Sequence, residues 1–246
     1  MGKVVVVASG KGGTGKTTAV AAVSSCLAAL GYRTLCIDCD AGLRNLDISL
    51  CMTDFAVSDF TDVLDGLLSL EDACVEHPKI KNLFFLSAPA FTGPEEIVSD
   101  AMTELLAAAK ESFDYCLIDS PAGIGAGFRL ASHGADMAII VSTGDISSIR
   151  DAQRAAELAS EMGIRETRLL VNRVNPRTFN KINTTVDDVI DDVSAQLIGV
   201  VSEDESVFLS VHNDTPLILA KPKTAARQFL DVARRLTGET LPLKKI

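Results

Sequence analysis

Gly10-Lys11-Gly12-Gly13-Thr14-Gly15-Lys16-Thr17-Thr18 follows closely on the β-branched run Lys3–Ala8 and opens into the helix-forming stretch Lys16–Leu30. The spacing fits G-x-x-x-x-G-K-[ST] in the context that pattern requires, with a strand before it and a helix after it. The underlying physics is anion binding. Glycines let backbone N–H groups turn inward around phosphate oxygens, and the following helix adds the partial positive charge of its N-terminus. In such a loop Gly12, Gly13, Thr14 and Gly15 shape the cradle. Lys16 reaches the β- and γ-phosphates, Thr17 offers its hydroxyl to Mg2+, and Thr18 contacts the α-phosphate.

Outward from this loop, short apolar runs alternate with longer helical stretches. The strand candidates are Lys3–Ala8, Arg33–Asp38, Asn82–Ser87, Tyr115–Asp119, Met137–Val141, Thr167–Asn172 and Gln196–Val201. Several are almost continuously apolar, as expected where helices cover both faces of a parallel sheet. The helical stretches are Lys16–Leu30, Glu95–Ser112, Ile146–Met162, Val186–Ala195 and Ala225–Leu236. Pro94 stands at a helix start, and Gly31 and Gly163 stand where helices end. The alternation predicts an α/β fold: a doubly wound, mostly parallel sheet flanked by helices, of the P-loop NTPase type, built as one domain over residues 1–246. Pro176–Asn183 reads as a polar loop, and Met52–Lys81 yields no clear element.

Two acidic positions close strands beside the loop. The second strand ends in Asp38-Cys39-Asp40 and the fourth in Leu117-Ile118-Asp119. Carboxylates at strand ends next to bound phosphate sit where Mg2+ and an attacking water are held, which makes Asp38 and Asp119 the metal candidates with Thr17. Gly123, Gly125 and Gly127 follow Asp119 and permit a mobile segment that senses the terminal phosphate.

Composition narrows the partners. Hydrophobic residues make up 47%, ample for a buried core, and 23 Lys+Arg against 33 Asp+Glu give a formal net charge of −10. Such a surface is a poor partner for nucleic acid, so none is expected. No apolar run reaches the roughly 18 residues of a spanning helix, and the N-terminus shows no signal pattern, so a cytoplasmic protein is expected. The six cysteines are expected to be reduced. Cys36 and Cys39 have C-x-x-C spacing, but in a strand residues three apart face opposite sides. The three histidines are scattered and suggest no zinc site.

Lys11 carries the resemblance further. The loop K-G-G-x-G-K-T-T resembles that of the MinD/ParA family of deviant Walker A ATPases. The resemblance implies ATP and ADP as ligands, Mg2+ as cofactor, and an ATP-dependent homodimer in which Lys11 reaches the partner's nucleotide. Asp38-Cys39-Asp40-Ala41-Gly42-Leu43-Arg44-Asn45-Leu46-Asp47 and Asp119-Ser120-Pro121-Ala122-Gly123-Ile124 resemble the MinD branch, the division-site-selection ATPases. So does Ser147-Ser148-Ile149-Arg150-Asp151. Asn172-Arg173 with Pro176 resembles the family's adenine-contacting segment, and Leu197–Asp204 its L-[IV]-G-V-[IV]-P-E-D segment. The likeness runs from residue 3 to about residue 220. The chain departs from the pattern at Ser202, where the family has proline. It departs at Gln153, where the family has an aspartate on the helix that binds a division inhibitor. It departs again at its end, Gly238–Ile246, where Pro242 interrupts any basic amphipathic helix.

These readings imply a Mg2+-dependent ATPase acting as a MinD-like switch. Lys16 and Lys11 stabilise phosphate charge, and Asp40 orients the attacking water. The implied partners are a second copy and a Min-type division inhibitor or activator. Membrane binding is expected to be weak or absent, with any attachment peripheral at the inner face. A ParA-like or flagellar-placement ATPase keeps the same chemistry but calls for a basic surface if it binds DNA. An iron–sulfur carrier ATPase needs cysteines at the dimer interface. A dethiobiotin-synthetase-like ligase shares the loop but not Leu43–Asp47.

Overall fold

The computed structural model describes residues 1–41, 44–55, 57–90, 92–220 and 224–243. Gly42, Leu43, Lys244, Lys245 and Ile246, all part of the sequence reading, lie outside them. Eight strands form one sheet in the order β3-β4-β2-β5-β1-β6-β7-β8. They are β1 (Lys3–Ala8), β2 (Thr34–Asp38), β3 (Val75–Glu76), β4 (Leu83–Leu86), β5 (Tyr115–Asp119), β6 (Met137–Ser142), β7 (Glu166–Val174) and β8 (Gln196–Ser202). All pairings are parallel except that of β3 with β4.

The pleat divides the core. On β1, Val4, Val6 and Ala8 enter one apolar cluster, while Val5 and Val7 enter the other. A strand buried on both faces must be apolar at every position, which is why KVVVVA shows no polar alternation. Each fully buried valine contributes about 1.5–3 kcal/mol. On one face lie α1 (Lys16–Ala29), α2 (Leu46–Leu50) and α11 (Thr224–Leu236). On the other lie α3 (Phe60–Leu64), α4 (Leu70–Ala73), α5 (Ser99–Ser112), α6 (Ala126–Ser132), α7 (Ile146–Glu161), α8 (Pro176–Ile182) and α9 (Val186–Val193). The helix α10 (Glu205–His212) lies at the carboxyl end of β8 and reaches α2.

All seven anticipated strands are present, and the unread stretch Met52–Lys81 holds α3, α4 and the two-residue β3. Two helix readings need correction. The stretch Glu95–Ser112 is not one helix. Pro94–Glu96 is a 3-10 turn closed by Glu96, whose carboxylate accepts from the Gly93 N–H at 2.9 Å, and extended backbone at Ile97 and Val98 separates it from α5. β-Branched residues in tandem favour that extended backbone. The supposed loop Pro176–Asn183 is α8: the Asn175 side chain caps the N–H groups of Arg177 and Thr178, and Asn183, at φ 51°, ends it. Only Phe179 of α8 is buried, so no apolar period marked it.

Candidate functional site

The carboxyl ends of β1, β5 and β2 lie side by side. Asp38 and Asp119 occupy paired positions on neighbouring strands, and Val7, on the approach to the glycine loop, pairs with Asp119. The loop itself demands glycine. Gly13 and Gly15 have φ of 82° and 86°, and a Cβ on Gly15 would stand 2.4 Å from the Asn172 amide nitrogen. Gly15 opens α1 with no side-chain cap, which leaves first-turn N–H groups for a ligand.

Under the loop, Lys16 Nζ lies 2.6 Å from Asp119 Oδ1, with the two side chains 7% and 1% exposed. Asp119 Oδ2 is buried without a partner among the described residues. Burial pushes the Asp119 carboxyl up, and Lys16 and the Thr17 hydroxyl pull it back. Asp38 accepts from the N–H groups of Asp40 (2.8 Å) and Leu46 (3.1 Å) and so sets the path of the loop after β2. Burial, with the neighbouring Asp119 charge, pushes Asp38 up to about 7. Two carboxylates raised by burial, one with an orphaned oxygen, beside the Thr17 hydroxyl, form a hard-oxygen donor set that fits Mg2+. Among the described residues no group of three or more His, Cys, Asp or Glu could hold a metal by itself, so a bound Mg2+ would need ligand oxygens and water besides these side chains. Asp40 is half-buried on the cleft wall, its carboxyl raised by burial and opposed by Lys16.

The remaining predicted residues are also at the loop. Gly12, Gly13, Thr14, Gly15, Lys16, Thr17 and Thr18 line a cleft of about 850 Å³, together with Asn172 and Arg173. Both of the last two are tied to the loop backbone: Asn172 donates to the Thr14 carbonyl at 2.8 Å and Arg173 to the Gly13 carbonyl at 3.0 Å. Arg173 does so from φ 55°. Lys11 rests on its own chain, donating to Ser147 Oγ at 2.9 Å and Asp145 Oδ1 at 3.3 Å. Burial raises the Asp145 carboxyl, but Ser147, Thr143, the Ser148 N–H and Lys11 together hold it well below the usual carboxylate range. In the segment after Asp119, the Gly123 N–H donates to the Ser9 carbonyl at 3.0 Å, and Gly127 packs against the Pro121 ring.

Sequence reasoning missed the far wall of the cleft. Val207, Phe208 and Val211 of α10, with Phe229 of α11, give that end an apolar lining. Phe208 is 74% exposed, and its ring stacks on His212 at 6.2 Å. An aromatic left in solvent beside a cleft is a signal that only the fold reveals. The six cysteines are free, and Cys36 and Cys39 sit in opposite core clusters as anticipated. Phe229, Val232 and Leu236 of α11 are buried in the core. Among the described residues no helix is long and apolar enough to cross a membrane.

Known proteins resemble this arrangement throughout. The family described as the CobQ/CobB/MinD/ParA nucleotide binding domain matches residues 5–217. The septum site-determining protein MinD of Bacillus subtilis is 35% identical, aligned over 99% of this chain and 92% of that protein. MinD of Synechocystis sp. is 38% identical over 98% of this chain and 92% of its own. A chain of the MinC:MinD cell division protein complex of Aquifex aeolicus superposes with a TM-score of 0.91 at 37% identity, covering 99% of this chain and 98% of that one. MinD of Pyrococcus horikoshii, solved with Mg-ADP, gives 0.86 at 26% identity over 96% of each chain.

Proposed function

The chain belongs to the CobQ/CobB/MinD/ParA nucleotide-binding family, on its MinD side, and from that membership we propose an ATP-driven switch of division-site selection that pairs with a second copy when ATP is bound. It is a MinD-like P-loop ATPase acting as one domain. The observation that carries the proposed chemistry is the buried Lys16–Asp119 pair under the glycine loop. A lysine held against a carboxylate in a dry site is poised to turn to phosphate oxygens when they arrive.

The roles follow from charge and reach. The loop amides and Lys16 hold the β- and γ-phosphates, and Thr18 meets the α-phosphate. Bound by Thr17, Asp38 and Asp119, Mg2+ would neutralise charge developing on the phosphate oxygens. Asp40, half-buried beside them, orients the attacking water. Asn172 and Arg173 keep the loop in shape and border the nucleoside end. Lys11 leaves Asp145 and Ser147 to reach the nucleotide of the partner copy. The Mg-ADP in the Pyrococcus horikoshii protein and the MinC in the Aquifex aeolicus complex support a magnesium nucleotide and a Min-type partner. The working place is the cytoplasm, with any membrane association peripheral at the inner face. The acidic surface argues against nucleic acid as cargo.

Light scattering with and without ATP and Mg2+ tests the cycle. The unaltered chain is expected to double its mass on ATP and return as ATP is consumed. Asp40→Ala should double its mass and remain doubled, with turnover lower by about 10²-fold or more. Lys11→Ala should stay monomeric at saturating ATP; an unchanged ATP-dependent dimer in that variant would remove its role across the interface.

A further inference from the structure

Among the described residues β8 is the last strand of the sheet on its side, and its outer edge has no neighbouring strand. At its carboxyl end the inner side is closed, since the Glu203 N–H donates to the Val174 carbonyl at 3.0 Å. The outer side is closed by a side chain. Gln228 of α11 accepts from the Ser202 N–H at 2.8 Å and donates from Nε2 to Ser202 Oγ at 3.0 Å. The orientation of the carboxamide is set, because a backbone N–H bonds only to its oxygen. One side chain therefore grips one residue at two points.

We propose that Gln228 is a positioning residue for the nucleoside half of the cleft, acting through Ser202; this rests on the reading of the cleft as a nucleotide site. Ser202 leads directly into Glu203 and Asp204. Asp204 accepts from the Ser206 N–H at 2.9 Å, capping α10, and from the Ala225 N–H at 3.1 Å, at the start of α11. These bonds join the end of β8, the first turn of α11 and the whole of α10 into one unit. The apolar wall formed by Val207, Phe208 and Val211 belongs to that unit. Farther down, Arg235 donates to the Ile198 carbonyl at 3.1 Å, and Gly199 admits Val232, whose Cγ2 would lie 2.4 Å from a Cβ there. Seven helix residues span about 10.5 Å and four strand residues about 13 Å, so Gln228 and Arg235 match Ser202 and Ile198 in antiparallel register. Of these two contacts, that of Gln228 is the one at the cleft end, because its partner Ser202 lines the cleft.

The phosphate half of the cleft has different supports: β1, α1, Asp119 and Asn172. Loosening Gln228 should therefore harm recognition of the nucleoside and spare recognition of phosphates. The ratio of two affinities, for ATP and for inorganic tripolyphosphate, each measured calorimetrically with Mg2+ on the full chain, reads this directly. Gln228→Met keeps the volume and removes both bonds; it should weaken ATP about tenfold and leave tripolyphosphate and kcat at saturating ATP within about twofold. Gln228→Glu can accept from both the N–H and the O–H of Ser202 and should restore the ratio when both ligands are measured at high salt, which screens the different repulsion its charge exerts on ATP and on the more highly charged tripolyphosphate. An unchanged ratio in Gln228→Met, or a ratio that Gln228→Glu fails to restore, would overturn the proposal. If the unaltered chain binds tripolyphosphate no more weakly than ATP, the nucleotide reading of the cleft falls first, and the proposal with it.

Discussion

At the scale of single residues, the site is a problem of uncompensated charge. Lys16 and Asp119 are both almost fully buried and answer each other at 2.6 Å. Asp38, one strand away, pairs with no lysine among the described residues and instead spends its oxygens on two backbone N–H groups. Removing one member of a buried pair strands the other charge in a medium that solvates it poorly. Lys16→Ala is thus expected to do more than abolish nucleotide binding: it should lower unfolding stability by about 3 kcal/mol or more. The second change Asp119→Ala, made on top of it, should recover part of that loss. Urea unfolding of the two single variants and the double variant checks this. Additive losses would mean that the pair is not coupled.

At the scale of elements, His77 shows how the part of the chain with no legible pattern is held. It is buried, its Nε2 bonds the Leu50 carbonyl at the end of α2, and its Nδ1 accepts from the N–H groups of Lys79 and Ile80. Nε2 therefore carries the proton and Nδ1 is bare. Burial, aided by Lys79, lowers the His77 pKa, with the Leu50 bond opposing. A group depressed on folding contributes stability above its unfolded pKa, near 6.5, and that stability is lost as pH falls through the lower folded value. Urea unfolding at pH 7.5 and 5.5 should show that the drop in pH costs the unaltered chain more stability than it costs His77→Gln, since the raised carboxyls Asp38 and Asp119 act equally in both; equal changes would clear His77 of the effect. No sequence rule points from His77 to Leu50, 27 residues earlier. The legible parts were those in which one local run carries its own geometry: the glycine loop with Lys16, and apolar runs that end in Asp38 or Asp119. The illegible parts depend on distant neighbours. Asn172 is named by the resemblance alone, and its hold on the loop, in the space that Gly15 leaves, shows only in the fold; β3 is two residues long and exists because β4 pairs with it, and α8 buries too little to show a period.

At the scale of the molecule, an acidic body with a net charge of −10 starts from repulsion at an anionic surface. α11 offers no relief, since Phe229, Val232 and Leu236 face the core. Beyond it, Arg234 pairs with Glu239, and Arg235 donates to the Leu241 and Pro242 carbonyls, so these arginines are engaged within the chain. Lys244 and Lys245 each add about 1 kcal/mol at such a surface. Cosedimentation with phosphatidylserine vesicles should leave most of the protein in the supernatant even with ATP, although the proposed pairing would double the tails. Recovery of most of it on the vesicles would show a real anchor, and deletion of Gly238–Ile246 would say whether it is the tail. The last strand has one more consequence. A bare strand edge invites strands of other chains to add to it, the first step of β-type aggregation. Here α11 occupies the outward Ile198 carbonyl with Arg235 and the outward Ser202 N–H with Gln228, one toward each end of the strand. A strand added to that edge would have to evict a helix, so where copies gather at high local concentration the sheet ends at β8 and does not grow from one molecule into the next.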